Sequence, residues 1–330
     1  MVRRLGPATV EKNANNNTEL GDDLKTKVAW LYYMEGKTQE DISKAYGLSR
    51  SKVLRSLASS RQDGTVQISI ATNLSRCVEL ERSLENLIGM ERAIVIPYCE
   101  NPETEYVNLG VALAKYVNGI LHDNMSIGLG WGRTLSASLS QIEYREQKNI
   151  KVISMLGGLT RVSGDNPSEF AWRFADRLSA ECYLMAAPVF APDIRTRDAL
   201  LTHAGINEIV VASKSLDLAI VTAGDLSPYS TVSQFFLLER EDIAGLQAAG
   251  AVGHVLCRFI DANGKVIDHP INHRVLAIDP SDLGKTRKIV LASGGWQKFD
   301  VVRAAMKLLK PHVLVTDESV AERIVAEAKQ

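Results

Sequence analysis

The stretch Met125-Ser126-Ile127-Gly128-Leu129-Gly130-Trp131-Gly132-Arg133-Thr134 runs from an apolar strand into a glycine-rich turn, and Leu135 to Ile142 continues with helical character. A strand that ends in glycines and hands the chain to a helix is the building unit of an α/β fold. The glycines let backbone approach a ligand closely, and the helix start offers free N–H groups. Arg133 and Thr134 add donors suited to an anion or a polyol. The spacing is not the dinucleotide fingerprint, because the third glycine comes one place early. A tight strand-to-helix turn with no ligand is the competing reading.

The same rhythm extends in both directions. Short apolar runs occur at Ala93–Pro97, Val152–Gly158, Tyr183–Pro188, Leu218–Gly224, Lys288–Gly295 and His312–Asp317, separated by helical segments. Near-continuous apolar strands belong to a parallel-type sheet covered on both faces, where ligands sit at the carboxyl ends. Leu156-Gly157-Gly158-Leu159-Thr160-Arg161 and Gly294-Gly295-Trp296-Gln297-Lys298 repeat the strand-then-glycine theme, so three loops are expected to converge on one polar pocket. Lys298 is the candidate cation for a phosphate or hydroxyl, with a surface lysine as the alternative. Trp131 and Trp296 are candidates to stack on a sugar ring, whereas Trp172, between Phe170 and Phe174, is expected in the core.

Toward the N-terminus the pattern is all-helical. Thr38 can cap a helix whose first turn carries Glu40 and Asp41 and whose apolar face is Ile42, Ala45 and Tyr46. Gly47 stops it, Leu48 plugs the angle, and Ser49 caps a second helix with Val53, Leu54 and Leu57 inward. Arg50, Ser51, Lys52 and Arg55 are left for something anionic. From Ile42 to Arg61 there is no acidic residue, which is the electrostatic footprint of a recognition helix in a helix-turn-helix. An αα-hairpin with a solvated basic face is the competing reading. Thr38, Gln39, Ser49, Arg50, Ser51, Lys52 and Arg55 form the candidate DNA-contact set.

Residues 1–21 read as a disordered leader, 22–70 as a winged helix-turn-helix domain with Val66–Ile70 as a strand, and 71–91 as a connector helix. Leu74, Cys77, Val78, Leu80, Leu84, Leu87 and Ile88 give that connector an apolar stripe, free to dock on the next domain or on a second subunit. Residues 92–330 make the large α/β domain. A chain of 330 residues with 45% hydrophobic and 23% charged residues suits two globular domains. A net charge of −1 with a locally basic helix pair argues for selective DNA contact rather than a coat of positive charge. No apolar run approaches the roughly 20 residues of a membrane span, and no signal peptide is visible, so a cytoplasmic location is expected. Cys77, Cys99, Cys182 and Cys257 are too scattered for a zinc site or disulfide framework; no metal and no cofactor are expected.

Val28–Tyr33, the helix-turn-helix, Gly128–Thr134, Gly250–Gly253, Phe259–Gly264, Gly294–Lys298 and Val315–Glu318 together resemble the SorC family of bacterial transcriptional regulators. The resemblance implies an N-terminal winged helix-turn-helix and a sugar-binding domain related in fold to glucosamine-6-phosphate deaminase and ribose-5-phosphate isomerase. It also implies homodimers or homotetramers on operator DNA, with a sugar, polyol or sugar phosphate as effector. Gly128, Gly130, Trp131, Gly132, Arg133, Thr134, Gly157, Gly158, Arg161, His254, Asp261 and Lys298 are the candidate effector-binding residues. Two departures stand out. Ser43 takes the place of the usual Ala, and His254 stands where the family commonly carries an acid. A neutral histidine there can bond a hydroxyl, or it can face solvent.

The expected function is a DNA-binding regulator of a carbohydrate or polyol catabolic operon, not an enzyme. A sugar-phosphate isomerase or deaminase is the alternative that the fold suggests, but fold is not function and the six histidines are scattered, with no acid–base pair forced together. An architectural DNA-binding protein without a ligand is the third reading.

Overall fold

The computed structural model describes residues 21–62, 65–66, 72–160, 166–235 and 238–329. The expected leader up to residue 20, the wing strand beyond Val66, and Arg161 lie outside the described residues. The chain divides into two compact units, Met1–Ala71 and Thr72–Gln330.

The small unit contains α1 (Asp22–Tyr33), α2 (Gln39–Tyr46) and α3 (Arg50–Gln62). Thr38 Oγ1 accepts from Asp41 N at 3.1 Å while Thr38 N donates to Asp41 Oδ2 at 3.2 Å, a reciprocal cap that fixes the start of α2. Gly47 ends α2 at φ 61°, a left-handed conformation that costs glycine little. Lys52 N donates to Ser49 Oγ at 3.3 Å, so Ser49 caps α3. The core is Val28, Ala29, Ile42, Val53 and Leu57. Burying each of the larger of these contributes about 1.5–3 kcal/mol.

The inward faces are narrower than expected. Among the described side chains of α3 the buried positions are Val53, Ser56, Leu57 and Ser60, at helical spacing, and Leu54 lies a quarter-turn off that stripe, 50% exposed. On α2 only Ile42 is buried; Ala45 and Tyr46 are exposed.

In the large unit the order is α4 (Thr72–Ile88), β1 (Arg92–Ile96), α5 (Pro102–Ile120), β2 (Ser126–Leu129), α6 (Arg133–Ser138), β3 (Lys151–Ser154), α7 (Pro167–Arg177) and β4 (Glu181–Tyr183). Then follow α8 (Ile194–Thr202), α9 (Ala204–Ala212), β5 (Leu218–Val221), β6 (Ala223–Gly224), α10 (Thr231–Gln234), α11 (Arg240–Ala248), β7 (Ala251–Val255) and β8 (Arg258–Asp261). The chain closes with β9 (Lys288–Ala292), α12 (Phe299–Leu309), β10 (Val313–Asp317) and α13 (Glu318–Ala328).

Among the described residues, the seven apolar runs read from the sequence form one seven-stranded sheet in the order β1-β10-β9-β5-β2-β3-β4. Every pairing in it is parallel. Both faces are covered. Leu218 and Ile220 of β5 point into a core with Leu109, Leu113, Leu135, Phe170 and Phe174, while Ala219 and Val221 point into one with Leu84, Phe299, Val302 and Val320. The α4 helix docks in this second core through Cys77, Leu80 and Leu84, while Val78, Leu87 and Ile88 stay exposed. Trp172 is not in the core: it is 57% exposed, because Phe170 and Phe174 share one face of α7 and a residue midway between them falls on the other.

A second, antiparallel sheet of β6, β7 and β8 was not legible in the sequence as strands. Its β6 follows β5 after one residue, so the small sheet stands directly on the carboxyl edge of the large one.

Candidate functional site

Strand β2 has β3 on one side and β5 on the other, and the chain after β2 moves away from β5. Reversals of this kind open a crevice at the carboxyl ends of the strands. The Gly130 N–H donates to the Ile220 carbonyl at 2.8 Å, tying the end of β2 to β5. Gly132 then turns the chain at φ 147°, and a β-carbon there would stand 2.7 Å from Thr222 Oγ1. Thr222 Oγ1 donates to the Trp131 carbonyl, so the loops after β2 and β5 brace each other. On the far side, Gly295 N donates to Asp317 Oδ2 at 2.6 Å, and Ser293 Oγ donates to the Ala223 carbonyl at 2.9 Å.

These loops enclose a cavity of about 580 Å³. Its walls include Trp131, Gly132, Arg133 and Thr134 after β2, Thr222 to Asp225 after β5, His254 of β7, Ser293, and Trp296 to Lys298 after β9. Asn101, Glu103 and Tyr106 come from α5 and its cap, and Ser227, Tyr229, Ser230 and Thr231 from the loop before α10.

Charge is unevenly distributed. Arg133 and Lys298 flank the Tyr106 ring, their charged ends 5.5 and 4.8 Å from its centre. Lys298 is half-buried, and burial lowers its pKa, with Arg133 pushing the same way and Asp225, Glu105 and Asp317 opposing. Asp225 is buried, and its Oδ1 accepts from Ser227 N at 3.2 Å and Ser227 Oγ at 3.0 Å. His254 is buried against the edge of Phe259, and neither ring nitrogen has a hydrogen-bond partner. Burial pulls its pKa down to about 4, so the imidazole is neutral near pH 7. Behind this wall Glu105 is buried, and burial together with the nearby Asp317 carboxylate raises it to about 7.

Two cations, two carboxylates, a neutral imidazole and several hydroxyls suit a small, hydroxyl-rich molecule, and the two cations gathered at Tyr106 suit an anionic group on it. Among the described residues no group of three or more His, Cys, Asp or Glu could hold a metal ion. No helix among them is long and apolar enough to cross a membrane.

The structure brings together Trp131, Gly132, Arg133, Thr134, His254 and Lys298 of the expected set. It does not bring Gly157, Gly158 or Asp261. Gly157 and Gly158 pack under the Ala187–Pro188 backbone and Ser168. Asp261 instead accepts from Asn263 N and Lys265 N in a turn. Gly128 and Gly130 do not line the cavity; they pack against Leu216 and Met155 and against Ile220 and Leu256 respectively. Two of the three glycine loops therefore converge, and the β5 loop replaces the third. Trp131 is buried and packs at a tilt against Phe235, ring centres 5.8 Å apart, whereas Trp296 stands exposed at the rim. His254 does not face solvent. Sequence reading missed Tyr106, Asp225 and the serines; only the Thr222-Ala223-Gly224 ending of its strand signalled the β5 loop.

In the small unit, Arg50, Ser51 and Arg55 are exposed and Lys52 is half-buried, all on α3. Arg50, Lys37, Thr38 and Gln39 line one open cleft at the start of α2.

A family model described as "Putative sugar-binding domain" matches residues 72–326. The chain is 29% identical over 308 residues to the erythritol catabolism regulatory protein EryD of Brucella abortus (strain 2308), covering 93% of this chain and 97% of that protein. It is 27% identical over 314 residues to the transcriptional regulator LsrR of Enterobacter sp. (strain 638), covering 93% and 94%. The crystal structure of the full-length sorbitol operon regulator SorC from Klebsiella pneumoniae has the same fold, with a TM-score of 0.69 at 24% identity over 92% of this chain and 100% of that one. The chain thus belongs to the sugar-binding-domain family, and the relatives that it matches nearly end to end are transcriptional regulators.

Proposed function

We propose that the chain is a cytoplasmic, homo-oligomeric repressor or activator of a carbohydrate or polyol catabolic operon, whose grip on operator DNA is set by a sugar, polyol or sugar phosphate bound in the large unit. The observation that carries this reading is the 580 Å³ cavity, in which Arg133, Lys298, Asp225 and the partnerless His254 face one space. Buried polar groups without partners are costly unless a ligand supplies them. The names of the relatives support the polyol and sugar class.

Arg50, Ser51, Lys52 and Arg55 would meet the major groove and its phosphates. One recognition helix reads little sequence, so a dimer or tetramer is the form that binds an operator. The effector acts by binding one subunit arrangement better than another, since only differential affinity shifts an equilibrium.

A thermal-shift screen of the full-length protein against sugars, polyols and their phosphates tests the reading, followed by a gel shift on the operon's own promoter with and without the hit. A ligand that raises the melting temperature and changes operator affinity is expected. Stabilisation by no member of the panel, with operator binding intact, would leave an architectural DNA-binding protein in its place.

A further inference from the structure

Tyr106 lies on α5, Arg133 opens α6, and Lys298 immediately precedes α12, so three elements meet at one aromatic ring. Lys298 Nζ stands 4.8 Å from the ring centre and Arg133 Cζ 5.5 Å from it. All three residues line the cavity. Neither cation belongs to a salt bridge among the described residues; Asp225, Glu105 and Asp317 act on Lys298 only from a greater distance.

Two cations gathered at one wall repel each other, and something must hold them there. A carboxylate placed between them would do so but would consume their hydrogen-bond donors and their charge. The face of an aromatic ring attracts a cation through its quadrupole and leaves the N–H groups free. Resting on the reading of the cavity as an effector site, we infer that Tyr106 is a positioning residue for an anionic effector: its ring spaces Arg133 and Lys298 so that both can meet one phosphate or carboxylate group of the ligand. The ring carries the role toward both cations, and the hydroxyl, which bonds with Arg133, adds to it on that side.

The test uses full-length protein, with inorganic phosphate, glycerol 3-phosphate and glycerol as probes in calorimetry and thermal shift. Tyr106→Leu is expected to weaken phosphate binding by about five- to tenfold, the size of a partly desolvated cation–π contact. It should also erase the preference for glycerol 3-phosphate over glycerol, while Tyr106→Phe, which keeps the ring and loses only the hydroxyl's bond to Arg133, should weaken phosphate binding less than Tyr106→Leu does. A merely structural wall residue would shift neutral and anionic probes alike. If Tyr106→Leu fails to fold, Tyr106→Trp and Tyr106→Met replace it, and equal phosphate affinity in those two overturns the inference. Phosphate binding lost in Lys298→Met but intact in Tyr106→Leu overturns the role of Tyr106 and leaves the cavity reading standing. A wild-type protein stabilised by neutral polyols and indifferent to phosphate and glycerol 3-phosphate overturns the anionic class and this inference with it.

Discussion

The α-carbon of Gly224 lies so close to the imidazole of His254 that a β-carbon on it would stand 2.3 Å from Nε2. Glycine on β6 is thus the condition for a histidine on β7, its cross-strand partner. The ring fills the space that any other side chain at 224 would take, and this keeps its two partnerless nitrogens at the cavity wall. Gly224→Ala should therefore force the ring out into the cavity. We expect a loss of about 1–3 kcal/mol in stability, typical of overpacking, and an effector response weakened far more than operator binding. Denaturant unfolding beside effector titration of operator complexes measures both; an unchanged effector affinity would mean that His254 takes no part in binding.

The pH response of the large unit should have two limbs of opposite sign. Glu105, raised to about 7 mainly by burial and next by Asp317, keeps in the folded chain a proton that the unfolded chain releases near 4.5. Its contribution is complete below about pH 4.5 and is lost as pH rises through 7. His254, lowered from 6.5 to about 4, contributes above pH 6.5, and that contribution is lost as pH falls through 4. Glu105→Gln should remove the first limb, so that its stability relative to wild type improves by on the order of 2–3 kcal/mol from pH 5 to pH 8. Urea unfolding at three pH values checks this, and parallel slopes for the two proteins would contradict it.

The large fold was legible because seven apolar runs ending in Gly, Thr or Pro have one economical arrangement, a sheet buried on both faces. The site was legible only where glycine marked it. Gly132 and Gly295 announced two loops, but Gly157 and Gly158 carry the same signature for a different reason, close packing beneath Ala187 and Pro188. Sequence cannot distinguish backbone approached by a ligand from backbone approached by backbone. Tyr106 and Asp225 sit far from their partners in the chain, so no local spacing could have joined them to Arg133 or Lys298. Trp172 failed for a simpler cause: neighbours at two places on either side predict the opposite face of a helix, not the same one.

In the small unit, the Thr38–Asp41 pair should be worth more to the helix-turn-helix than its exposure suggests. The Thr38 hydroxyl satisfies the Asp41 N–H while the Asp41 carboxylate takes the Thr38 N–H, and loss of such a cap costs about 1 kcal/mol. Thr38→Ala should lower the small unit's local stability, seen as faster amide exchange across α2, while Thr38→Ser should restore it. Exchange rates in the large unit, which has its own core, should be the same in all three proteins.

Arg50 and Arg55 should act on DNA in distinguishable ways. Both are exposed on α3, yet Arg55 Nε already donates to the Ser51 carbonyl at 3.4 Å, which orients its guanidinium along the helix, while Arg50 opens the helix beside Lys37 and Gln39. The cleft gathers Lys37 with Arg50, and two cations together suit a phosphate, which leaves a base edge to Arg55 on the exposed face of α3. Arg50→Ala should then weaken binding to all sequences alike and reduce the slope of log affinity against log salt by about 1. Arg55→Ala should cost about 1–3 kcal/mol on the true operator and little on random DNA. Salt titrations of both variants on specific and random duplexes separate the two roles; equal losses on both duplexes for Arg55→Ala would make it a second backbone contact.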